Sequence, residues 1–224
     1  ACEFESLLVH QFGKGKTMLQ FRILEDYRTF KKGEVIDINL DEIFYLPLVG
    51  ENGCGKSTLF RALRGKFPPP KEINLLASDL PKMLEFIDIK TDFEKVHFLD
   101  TVFDDPSDMM VASDASSFMA SGGYELRNSS HGERSLHQLI WFLKRLPITK
   151  GKELVVLDEV DTGFDIRFQV SMQNVLLGLV SKGYKVIIIT HNILIMRSSG
   201  LVYDLQERKV NTYEKFLAKY NISL

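Results

Sequence analysis

Eight consecutive residues, Gly50-Glu51-Asn52-Gly53-Cys54-Gly55-Lys56-Ser57, constrain this chain more than any other feature. They fit the pattern of a glycine, four free positions, then Gly-Lys and a hydroxyl residue. An apolar run from Ile43 to Val49 precedes them and a helical pattern from Thr58 to Arg64 follows, so the unit reads strand, loop, helix. Glycines let the backbone curl until successive N–H groups converge on an anion, and the helix start adds its partial positive charge. The expected occupant is the phosphate chain of ATP, lined by Gly50, Glu51, Asn52, Gly53, Cys54, Gly55, Lys56, Ser57 and Thr58. Lys56 then neutralises the β and γ phosphates, and the Ser57 hydroxyl ligates Mg²⁺. The plain alternative is a glycine turn without a ligand. Gly13-Lys14-Gly15-Lys16-Thr17 shows how the pattern discriminates: it too ends in Gly-Lys-Thr, but His10 stands where the first glycine belongs and strands flank it on both sides.

Two further strand ends carry candidate chemistry. Leu154 to Leu157 is continuously apolar, as a strand buried on both faces would be, and ends in Asp158-Glu159. At the carboxyl end of an open α/β sheet these carboxylates would face the ligand site. Asp158 is placed to hold Mg²⁺ through its water shell, and Glu159 to polarise the attacking water. Lys185 to Thr190 reads as the next buried strand and delivers His191 to the same edge, as a candidate sensor of the γ phosphate. Ser130-His131-Gly132-Glu133 precedes an amphipathic segment in which Leu136, Leu139, Ile140, Leu143 and Leu146 recur at helical spacing until Pro147. A capping box explains Ser130 and Glu133 completely. The same helix start is also an anion site that another subunit's nucleotide could occupy.

The rest of the chain reads as scaffold. Met18 to Tyr27 and Val35 to Ile38 suggest antiparallel strands near the start. Asp165 to Val180 is helical, with Met172, Val175, Leu176, Leu179 and Val180 on one stripe, and Leu201 to Leu205 with Lys209 to Tyr213 forms a final hairpin. From about Lys71 to Ser129 the chain is rich in Asp and Ser and irregular in pattern. A formal net charge of −2 argues against general affinity for nucleic acid. The basic residues Lys14, Lys16, Arg22, Arg28, Lys31 and Lys32, and the acids between Glu85 and Asp114, read first as solvated faces. No apolar run approaches a membrane span, and Cys2 and Cys54 do not suggest a disulfide, so a cytoplasmic protein without membrane insertion is expected.

Taken in order, phosphate loop, Ser-x-Gly-Glu, Asp-Glu, Asp161 and Thr190-His191 resemble the ABC-type ATPase superfamily. The short interval between loop and signature, with His131 in it, looks like the compact stand-alone bacterial and phage ATPases of that superfamily. The resemblance implies an α/β P-loop fold with a mainly parallel core sheet, an N-terminal antiparallel region and a mostly helical or irregular middle subdomain. It implies one domain over 1–224, with 1–65 and 147–224 as core and about 66–146 as the lid that bears the signature. It further implies an ATP-dependent, head-to-tail homodimer in which Ser130, Gly132 and Glu133 of one copy close over ATP held by Lys56 of the other. Asp161 would be the D-loop residue. A partner protein or nucleic acid would then be driven or gated, and a transporter subunit or a non-catalytic ATP-gated protein are the other readings. The chain departs from the family in having no Gln from Phe21 to His137, which leaves His97, Asp100 and Asp104 as positional substitutes. Phe12, Phe21 and Tyr27 are the candidates for stacking on adenine.

Overall fold

Alternation of apolar and polar residues builds the first sheet. The computed structural model describes residues 17–67, 84–100, 139–140, 142–149, 152–161 and 166–221. Strands β1 (Met18–Ile23) and β2 (Val35–Asn39) pair antiparallel, as expected, and a third strand, β4 (Ile87–Thr91), joins the free side of β1. Leu19, Phe21, Ile23, Ile36, Ile38, Ile87 and Ile89 all point to one buried face, while Arg22, Asp37, Asp88 and Lys90 alternate to water.

The second sheet has the order β5-β6-β7-β3-β8-β9. Its strands are β3 (Tyr45–Val49), β5 (Lys95–Asp100), β6 (Glu153–Asp158), β7 (Lys185–Ile189), β8 (Leu201–Asp204) and β9 (Lys209–Thr212). From β5 through β8 all neighbours run parallel, and β9 returns antiparallel as the expected hairpin. Leu154 and Val156 face one cluster and Val155 and Leu157 another, which is why β6 shows no alternation in its sequence. One face carries α1 (Lys56–Lys66), whose Leu59, Phe60, Ala62 and Leu63 fill the space between the two sheets. The other face carries α2 (Ile166–Ser181) through Met172, Leu176, Leu179 and Val180. Helices α3 (Ile193–Ser199) and α4 (Tyr213–Lys219) close the end beside β3, around Val49, Met196, Val202, Tyr213 and Phe216.

The expected irregular stretch is corrected at two places, since β4 and β5 both lie within Lys71 to Ser129. Their pairing draws Ile87 to Asp100 into the two sheets rather than into a lid. In the amphipathic stretch before Pro147, Leu139 and Leu146 are buried but Ile140 is exposed, so the stripe is narrower than its spacing suggests. Residues 1–16, with the Gly13 to Lys16 decoy and Phe12, and residues 101–138, with Asp104, Ser130, His131, Gly132 and Glu133, lie outside the described residues.

Candidate functional site

The parallel strands bring three expected site elements to one edge. β7 lies between β6 and β3, so the loop after β3, the Asp158-Glu159 pair at the end of β6 and His191 after β7 sit at adjacent carboxyl ends. The phosphate loop is shaped by glycines with left-handed or extended positive φ: Gly50 at 151°, Gly53 at 84° and Gly55 at 104°. A side chain at Gly55 would collide with the ring of the fully buried Phe30, and one at Gly50 would meet Cys54 Sγ at 2.7 Å. Gly55 is the N-cap of α1 and has no capping side chain, and the first turn carries no acid, so its N–H groups are left for an anion.

Lys56 is 5% exposed, and its Nζ donates to the carbonyl oxygens of Gly50 at 2.7 Å and Glu51 at 3.1 Å. The cation therefore sits inside the curl of the loop, where phosphate would share it. Ser57 follows at the helix start, half-buried, and Thr58 is buried. A hydroxyl at Ser57 and a carboxylate at Asp158 are the hard oxygen donors that Mg²⁺ takes. Among the described residues no group of three or more His, Cys, Asp and Glu could hold a metal. Two such donors from the protein suit an ion that completes its shell with phosphate and water.

Glu159 follows β6 at φ 50°, a left-handed conformation unusual for a residue with a side chain. Its backbone N–H donates to Ile189 O at 3.0 Å, which ties the end of β6 to that of β7. This bend brings Glu159 Oε1 to 3.8 Å from His191 Nε2, with about half of each side chain exposed. Behind them, the Thr190 hydroxyl donates to Asp161 Oδ2 at 2.6 Å and accepts from Asn192 N–H at 2.9 Å. Burial pushes the Asp161 carboxyl up, against the hydrogen bond from Thr190 that favours its charged form. A cavity of about 300 Å³ opens beside this group, lined by Gly50, Glu51, Asn52 and His191 with Met196 and Phe216. The first half of the phosphate loop therefore faces His191.

The second half faces a turn that the sequence did not single out. Tyr27 and Phe30 exchange backbone hydrogen bonds at 3.1 and 3.0 Å, the Thr29 hydroxyl donates to Cys54 O at 3.2 Å, and Phe30 packs under Gly55. No glycine or asparagine marks this turn, and its signal is the long-range contact itself. Of the described adenine candidates, Phe21 is fully buried in the core, edge-on to Phe60, whereas Tyr27 is half-buried and stacks on Phe86 at 5.0 Å. Of the substitutes for the absent Gln, His97 is engaged elsewhere: its Nε2 lies 2.6 Å from Glu153 Oε2 at the opposite, amino-terminal end of β6. Asp100 closes β5 in register with Asp158.

The profile of the family described as ABC transporter matches residues 34–160. The cobalt import ATP-binding protein CbiO of Salmonella typhimurium is 30% identical over 215 residues, covering 81% of this chain and 74% of that protein. The CbiO protein of Salmonella typhi is 30% identical over 212 residues, covering 80% and 73%. Among solved structures, a metal-chelate type ABC transporter in an inward-facing conformation superposes with a TM-score of 0.58 at 18% identity, over 92% of this chain and 89% of that one. A bacterial Atm1-family ABC exporter with ATP bound gives 0.52 at 16% identity, over 93% and 41%. The two structures share the fold with this chain. The two CbiO proteins are named as ATP-binding proteins of cobalt import rather than as the stand-alone ATPases that the signature suggests, and neither points to nucleic acid.

Proposed function

This chain belongs to the ABC transporter family of ATP-binding proteins, and we propose that it is the nucleotide-binding subunit of a transport system, hydrolysing Mg-ATP between two copies of itself. The observation that carries the proposal is the shared edge: a buried Lys56 inside the phosphate loop after β3, with His191 after the adjacent strand and Glu159 one strand further, 3.8 Å from it. In this reading Lys56 and the N–H groups of Gly53 to Thr58 hold the phosphates, and the half-exposed Glu159 carboxylate takes the proton of the attacking water. His191 contacts the γ phosphate beside Glu159. Ser57 and Asp158 would hold Mg²⁺, which supplies charge neutralisation across the β and γ phosphates. Tyr27 offers its ring to the base. Ser130, Gly132 and Glu133 close the site from a second copy, so the head-to-tail pair has two equivalent sites.

In this reading the membrane passage belongs to a partner subunit; among the described residues no helix is long and apolar enough to cross a membrane. A second reading, a stand-alone ATPase driving a soluble partner, is favoured by one observation: no Gln lies between Phe21 and His137 to report on a membrane subunit. Glu159→Gln keeps shape and removes the base, so hydrolysis should fall by about 10² to 10⁴ while ATP stays bound. Light scattering on that variant should show a dimer with Mg-ATP and a monomer with ADP, and Ser130→Arg should block pairing without blocking ATP binding. Wild-type turnover in Glu159→Gln would remove the catalytic assignment. Isolation of the trapped dimer with a membrane protein supports the transporter reading, and isolation with a soluble partner alone supports the second.

A further inference from the structure

The basic residues near the chain start read as a solvated face, yet one of them reaches the phosphate loop. Arg28 Nη1 donates to Thr58 Oγ1 at 3.4 Å, in the first turn of α1, and its guanidinium lies 5.4 Å over the Tyr27 ring. Arg28 has φ 53°, a conformation that costs a non-glycine residue energy and persists where neighbours hold it. They do: the Tyr27–Phe30 bridge closes the turn, Thr29 fastens it to Cys54 O, and Phe30 is wedged under Gly55. Among the described residues no carboxylate forms an ion pair with Arg28. A strained turn thus holds an exposed guanidinium without an acidic partner beside an anion-binding helix start that itself has no acid in its first turn.

We propose that Arg28 is a nucleotide-binding residue that grips the α-phosphate end of the bound nucleotide. Direction along the loop assigns the phosphate. Gly50, Glu51 and Asn52 share a cavity with His191, which marks the γ end, whereas Cys54, Gly55 and Thr58 touch the 27–30 turn, which marks the other. The planar fork can meet two phosphate oxygens at once, and in doing so it exchanges one long contact to Thr58 and the face of the Tyr27 ring for them. A contact at the α phosphate is common to ATP and ADP, so Arg28 sets affinity for both, unlike a group at the γ phosphate.

This inference rests on the ATP-binding reading above, and calorimetry separates the two. Mg-ATP and Mg-ADP are titrated into the wild type, Arg28→Gly, Arg28→Gln, Arg28→Lys and Lys56→Ala. Glycine takes φ 53° freely, so Arg28→Gly keeps the turn without its strain, and Gln keeps reach without charge. Both should bind ATP and ADP about tenfold or more weakly, with equal loss for the two nucleotides. Arg28→Lys should recover part of the affinity, since a point charge remains without the fork. Wild-type affinity in both Arg28→Gly and Arg28→Gln, or a loss confined to ATP, overturns the assignment while leaving the ATP site intact. A wild-type chain that binds neither nucleotide overturns both.

Discussion

Lys56→Ala separates two jobs of one side chain. In the free protein its Nζ spans Gly50 O and Glu51 O, at 2.7 and 3.1 Å. Gly50 is buried and Glu51 exposed, so water can replace the second bond more easily than the first. The substitution should cost about 1 kcal/mol of stability, near the net worth of one hydrogen bond. For a domain of this size that lowers the Tm by about 2–4 °C. With nucleotide bound, the same cation faces phosphate at 5% exposure, where a charge-assisted contact contributes about 1.5–3 kcal/mol. Mg-ATP affinity should therefore fall by about ten- to 150-fold. Calorimetry measures the affinity, and a thermal melt without nucleotide measures the stability. Affinity within twofold of wild type refutes the phosphate-loop role, and a Tm loss several times larger than expected makes Lys56 a structural strut first.

Asp161→Ala removes the acceptor of the fully buried Thr190 hydroxyl, which should cost about 1–3 kcal/mol in denaturant unfolding. It should also slow ATP turnover by letting His191 leave Glu159; a variant with wild-type turnover shows that the pair needs no such support. Gly33 and Gly55 both have left-handed φ, 86° and 104°, but only at Gly55 does an added side chain meet a neighbour, the Phe30 ring. Gly33→Ala should show strain alone, about 1–2 kcal/mol, and Gly55→Ala should cost more and lose ATP binding; equal effects would deny Phe30 its role. Burial pushes the Lys185 ammonium down to about 8, only partly opposed by Asp41. The unfolded chain then binds more protons from about pH 8 to about pH 10.4, so stability should rise with pH across that window, and in Lys185→Met the rise should vanish. A parallel pH profile in the two proteins would show that Lys185 titrates normally.

The phosphate loop was legible because it is a local backbone code: glycine positions fix where φ can be positive, and an apolar run before it makes a buried strand. The strands β6 and β7 were legible for a related reason, since burial on both faces needs unbroken Val, Ile and Leu. In β4 the period was present, with Ile87 and Ile89 inside and Asp88 and Lys90 outside, but the density of acids nearby hid it. A strand on a half-solvated sheet tolerates those acids on its outer face. The Arg28 turn was not legible, because its strain is held by contacts to Cys54 and Gly55 far along the chain. The choice between a transporter subunit and a stand-alone ATPase was also beyond the site residues. Both kinds of protein need the same phosphate chemistry, and they differ in the surface that meets a partner.

Placement of the reacting groups is divided between backbone and side chain. Glu159 is aimed by its own left-handed φ and by its N–H to Ile189 O, neither of which involves the carboxylate. An amide at that position can therefore occupy the same place, and a loss of rate in Glu159→Gln reports on proton transfer rather than on geometry. His191 is held differently. Thr190 before it and Asn192 after it share one hydroxyl, anchored on Asp161, which leaves β6 two residues beyond Glu159. A displacement of Asp161 would therefore act on the His191 loop through Thr190. In the dimer proposed above, a displacement of Asp161 would reach the Glu159–His191 pair by this link, so that pairing of the subunits would bear on the step that cleaves ATP.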